Sequence, residues 1–168
     1  MISFIEQVQT YASYHKDSTT RYIHMLGIPL ILLSLMILFG FVHIVILGVI
    51  DVNLSEIATL ALLVYYVRLQ WRVALATLPI LVFLLWISEF FSYEGPTSFA
   101  LWSFFIILLL GCTLQMIGFF VEGKRPPVID ALWQLLVAPL ILAAEILFSL
   151  RLMRGLKEEV YGKVPEKI

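Results

Sequence analysis

The run LILLSLMILFGFVHIVILGVI, from Leu30 to Ile50, contains no Asp, Glu, Lys or Arg. It is long enough to bridge the roughly 30 Å hydrocarbon core of a bilayer as a helix. Four more apolar runs follow, at about 57–67, 73–91, 99–121 and 129–150. With 61% hydrophobic residues and 14% charged ones, the chain has too little polar surface for a soluble domain. The sequence therefore predicts an integral membrane protein. Its first residues lack the basic, apolar, small-residue order of a cleaved signal, so we expect an uncleaved polytopic chain.

The expected fold class is all-α: a polytopic membrane helix bundle of four spans, a fifth bent or re-entrant apolar helix and an N-terminal amphipathic helix. Ile2, Ile5, Val8 and Ala12 fall on one helical face, which predicts a short helix lying on the membrane surface. Asp17, Ser18, Thr19 and Thr20 are capping types, so a second helix is expected to start there and continue into the first span, at 26–50. The second run is short and spans only if it begins near Val52 and Arg68 snorkels to the interface. Only RLQWR separates it from the third run, which predicts two neighbouring antiparallel helices. Residues 1–150 form one membrane domain in this reading, and 151–168 a solvated cytoplasmic tail.

Charge sets the expected orientation. With four crossings and a cytoplasmic N-terminus, the outer loops DVNLSE and SYEGPTS carry no Lys or Arg, while Lys16, Arg21, Arg68, Arg72, Lys124 and Arg125 all lie inside. A fifth crossing would send Arg151, Arg154, Lys157, Lys163 and Lys167 outside. Asp130 and Glu145 are also expensive at bilayer depth, and Pro139 removes a helical hydrogen bond. The fifth run is thus expected to pack into the bundle or re-enter, with a complete crossing as the alternative. A net charge of −1 offers no basic surface for nucleic acid. The lone Cys112 excludes an internal disulfide.

Two polar clusters then share the cytoplasmic face. One is YHKDSTTRYIHMLGIP, from Tyr14 to Pro29; the other is QMIGFFVEGKRPP, from Gln115 to Pro127. Gln115, Gly118 and Glu122 follow at i, i+3 and i+7 and share a helix face, on which Gly118 lets a neighbouring backbone approach. Asp130 and Gln134 open the fifth segment near the same surface. His15 and His24 are nine residues apart, about 180° around one continuous helix, but a break at the capping residues would let both rings turn to one point. Two His and a carboxylate suit non-haem Fe(II). The plainer alternatives are histidines that bind headgroups or water, arginines that serve as interfacial anchors, and a Gln115 that only bridges helices. His43, roughly 28 Å further along a helix, belongs to the other leaflet.

At these two clusters the chain resembles the yeast-type 2-hydroxy-fatty-acid dioxygenase family, small polytopic membrane proteins once classed as a domain of unknown function. The resemblance runs through YHKDSTTRYIHMLGIPL and QMIGFFVEGKRPPVIDALWQLLVAPLILAAEILF. It implies an Fe(II)-dependent, haem-free enzyme that shortens a 2-hydroxy fatty acid by one carbon with O₂. The implied metal ligands are His15, His24 and Glu122. Gln115 and Glu122 would be catalytic, and Arg21 and Arg125 would hold the substrate carboxylate; Gly118 and Pro126 match as well. The implied membrane is the endoplasmic reticulum in a eukaryote and the inner membrane in a bacterium. Two departures stand out: Asp17 and Thr20 replace an Asn-rich linker, and Phe119 occupies a position where the family pattern has a further His. Phe119 leaves open a second expectation, a non-catalytic lipid-binding or structural member with a degenerate metal site. Carboxylates at the ends of spans, not at their centres, argue against a transporter.

Overall fold

The computed structural model describes residues 4–14, 18–46, 49–122, 128–150 and 152–161. In chain order these are helix α1 (Phe4–Tyr14), helix α2 (Ser18–Gly40), strands β1 (His43–Ile46) and β2 (Ile50–Asn53), and helices α3 (Leu54–Ser92), α4 (Ser98–Glu122), α5 (Val128–Ser149) and α6 (Arg154–Tyr161). Segments Ile23–Gly40, Leu54–Ser92 and Ser98–Val121 are long and apolar enough to cross a membrane.

The longest helix is really two. Gln70 leaves the helical region at φ −159°, ψ 95°. Asn53, at the start of α3, donates from Nδ2 to Glu89 Oε2 at 2.7 Å. Thirty-six residues of straight helix would hold these groups roughly 54 Å apart. The arms 54–69 and 71–92 therefore lie antiparallel, with RLQWR as the turn, as the sequence leads one to expect. Asn53 also caps the first arm: its Oδ1 accepts from Glu56 N at 2.9 Å, and its own N–H donates to Glu56 Oε2 at 3.2 Å.

The first span departs from expectation. The helix stops at Gly40, and residues 43–53 form an antiparallel hairpin with His43 opposite Asn53 and Val45 opposite Asp51. Thus the fold is not purely α. The physical reason lies in composition: Ile44, Val45, Ile46, Ile50 and Val52 are β-branched and fit a pleated strand better than a helix. His43 and Asp51, diagonal neighbours on one face, approach to 3.3 Å. At Gly40 an added Cβ would lie 2.7 Å from Ser92 Cβ, so the end of α2 packs directly on the end of α3.

Helix α5 packs mainly against α3 and also meets α2 and α1. Val137, Ala138, Leu140, Ile141, Ala143 and Ala144 are all buried. Pro139 has no N–H to return to the carbonyl four residues back, and at the same turn the fully buried Tyr66 donates from its hydroxyl to Leu136 O at 2.5 Å. Two further differences concern the ends. On α1, Phe4 and Val8 lie inside the core and Ile5 packs against it. The expected solvated tail contains α6, whose Leu156, with the preceding Met153, packs against that core.

Replacing Asn53 with Ala removes a cap and the clasp between the arms. We expect a loss of about 2 kcal/mol in detergent, measured by reversible unfolding. In a double-mutant cycle with Glu89→Ala the two losses should not add, because they break one bond; full additivity would contradict the hairpin.

Candidate functional site

The site is built where the start of α2 meets the end of α4. Apolar helices in a membrane gain little from burying more hydrocarbon, so their association depends on close packing at small residues. Three glycines supply it. An added Cβ on Gly111 would stand 2.7 Å from Ile31 Cγ1 and 3.1 Å from the Gly27 carbonyl oxygen. One on Gly27 would meet the Gly111 carbonyl oxygen at 3.2 Å and Gln115 Nε2 at 3.0 Å. One on Gly118 would meet the His24 ring at 2.5 Å from Nε2 and 2.7 Å from Cε1. The imidazole thus occupies the space that a side chain at position 118 would need.

His24 is buried, at 1% exposure. Its Nδ1 is hydrogen-bonded to Gln115 Oε1 across the helix pair. With the Gln115 carboxamide in this orientation its oxygen can only accept, which pairs it with the tautomer that carries the proton on Nδ1 and the lone pair on Nε2. That is the tautomer a metal-binding His presents when its other nitrogen is held by a neighbour. The Phe119 ring lies against the imidazole with centroids 5.0 Å apart and planes tilted by 51°. Gln115 Nε2 is buried with no hydrogen-bond partner among the described residues.

Of the residues singled out in the sequence, the structure brings His24, Gln115 and Gly118 into contact. Glu122 is the last residue of α4 and Arg21 lies in the first turn of α2, but the side chains of both fall outside the described set, as do those of Asp130 and Gln134. His15 and Arg125 lie outside the described residues altogether. His43 sits on β1 at the opposite end, consistent with its exclusion from the site. The donor chemistry of His24 fits the iron that the resemblance implies. Among the described residues no three His, Cys, Asp or Glu side chains converge on a metal position.

Sequence reasoning passed over Gly27 and Gly111. The signal was present: Gly111, Gln115 and Gly118 recur at i, i+4 and i+7 along one stripe of α4, and small residues in that register mark a helix–helix contact.

No curated protein matches the chain, and no solved structure does. A family model described as 2-hydroxy-palmitic acid dioxygenase Mpo1-like matches residues 1–150. That match contains the His24–Gln115–Gly118 contact and helices α1 to α5 complete, and the chain belongs to the Mpo1-like family.

Proposed function

We propose that the protein is a membrane-embedded, Fe(II)-dependent dioxygenase that shortens a 2-hydroxy fatty acid by one carbon, with O₂ as co-substrate. The observation that carries this reading is the His24 imidazole, oriented by Gln115 and seated in the space over Gly118. His24 would bind iron through Nε2, with His15 and Glu122 as the further ligands. Iron, when bound, would supply the activation of O₂. Gln115 would keep the His24 tautomer fixed, and its buried amide N–H groups would be available to a substrate oxygen. Arg21 or Arg125 would pair with the substrate carboxylate. The family description names a 2-hydroxy acid, and the surrounding apolar helices suit its alkyl chain.

The topology that accompanies this reading has four spans, α2, the two arms of α3, and α4, with α5 bent or re-entrant inside the bundle. The His24 end would face the cytoplasm, in a bacterial inner membrane or in the endoplasmic reticulum of a eukaryote. The distribution of charge supports it. The Gln70 turn lies at the His24 end, because the opposite tips of α3 meet each other and Gly40. Arg68 and Arg72 flank that turn, whereas the other end carries Asp51, Glu56, Glu89 and Glu94.

A second reading has its own observation. Phe119 covers one side of the His24 ring with hydrocarbon where the family pattern has a further His. That would suit a member that holds lipid without metal chemistry.

Anaerobically purified wild type should contain iron and consume 2-hydroxypalmitate. His24→Ala should lose at least tenfold in iron affinity, read by metal analysis; an iron-free, inactive wild type would sink the enzymatic reading. If iron or turnover appears only in Phe119→His, the lipid-binding reading holds instead. Gly118→Ala should displace the imidazole and lower iron content by a similar factor, at a folding cost of about 1–3 kcal/mol. Pairing it with Gly111→Ala, whose added Cβ would meet Ile31 and the Gly27 carbonyl oxygen, separates loss of the site from loss of packing: iron retained in Gly111→Ala but lost in Gly118→Ala is the expected pattern.

A further inference from the structure

The end of the bundle away from His24 has a cleft of its own. It measures about 490 Å³, within the size range of small-molecule sites, and lies between the tip of α3 and the start of α4. Trp86, Phe90, Tyr93 and Phe99 form its walls, and Glu89 and Glu94 supply its charge. We propose that this cleft binds a membrane amphiphile with an ammonium head and a single alkyl chain.

The aromatic walls pack on one another. Phe91 stacks on Phe99 with centroids 5.7 Å apart and meets Phe90 edge-on at 5.6 Å. Phe90 itself is 77% exposed, so its outer face is not used for packing within the chain. Glu89 is positioned from behind by the Asn53 amide at 2.7 Å. Glu94 is held by a tight turn, in which Gly95 takes φ +76° and donates to Ser92 O at 2.8 Å.

Charge complementarity identifies the occupant. The described Lys and Arg side chains, Arg68, Arg72 and Lys157, belong to other parts of the fold: the Gln70 turn and α6. Near the cleft, Asp51, Glu56, Glu89 and Glu94 make the surface acidic. Two carboxylates between aromatic faces attract a cation by Coulomb and cation–π forces together. An interfacial aromatic belt explains Trp86 and Tyr93, whose rings have polar tips, but not the phenylalanines or the carboxylates. A zwitterionic phospholipid would bring its phosphate up to Glu94. A head with one positive charge avoids that repulsion, and its chain can run down Trp86 along the apolar flank of α3.

The site is about 24 Å from His24, the length of α2 between His24 and Gly40, so it can be tested without disturbing the other end. A variant carrying Trp71→Phe, Trp102→Phe and Trp133→Phe keeps Trp86 as its sole indole reporter. In dodecyl maltoside micelles, dodecyltrimethylammonium added at low mole fraction should change Trp86 emission saturably. Dodecyl sulfate, with the same chain and opposite charge, should not. Glu89→Gln/Glu94→Gln should weaken the cationic amphiphile about tenfold. Because Glu89 also clasps Asn53, Glu94→Gln alone is the stricter variant, and it should still weaken binding several-fold while unfolding like wild type. Equal responses to the two amphiphiles, or wild-type affinity in Glu94→Gln, would overturn the proposal.

Discussion

The close approach of α2 and α4 along Gly27, Gly111 and Gly118 is the contact on which the functional end of the molecule depends. Within a bilayer, lipid tails satisfy apolar side chains as well as protein does, so a pair of helices must gain from proximity itself. Missing side chains at three points let the two backbones come together. The same absence at position 118 makes the space in which an imidazole can lie. Packing and chemistry thus rest on one substitution pattern. A methyl group added for stability at position 118 would be added at the expense of the site.

Several polar groups elsewhere among the described residues are given a partner inside the protein. Thr59, Thr77 and Ser92 return their hydroxyls to carbonyls four residues back in their own helices. Tyr66 serves a carbonyl at the proline turn of α5, and Asn53 serves both a helix start and a carboxylate. Bonds of this kind within the hydrocarbon layer have no water to compete with them, which is why they can hold a kinked helix in place.

Much of this was legible from the sequence. The long apolar helices and the RLQWR break follow from hydropathy, because the bilayer thickness fixes how long an apolar helix must be, although the first run reads as helix ten residues past its end at Gly40. The stripe of Gln115 and Gly118 follows from helical periodicity, and the His24 contact from placing both clusters on one face. What escaped were features decided by tertiary contact. The β-hairpin was hidden because apolar β-branched residues read equally well as membrane helix. Burial of the α1 face could not be told from burial in lipid, since an amphipathic pattern does not name its partner. Gly27 and Gly111 were silent because a glycine shows its purpose only when the helix facing it is known.

The hairpin at Gln70 also governs sidedness. A one-residue turn cannot cross a bilayer, so the arms of α3 must either both cross or both stay out; together they contribute an even number of passages. Helices α2 and α4 are antiparallel, since the start of one touches the end of the other. Under the proposed topology, in which α2 and α4 both cross, the count through residue 122 is therefore even. That topology would bind the segments flanking α2 and α4 at the His24 end to a common compartment and leave to α5 alone the placement of the last residues.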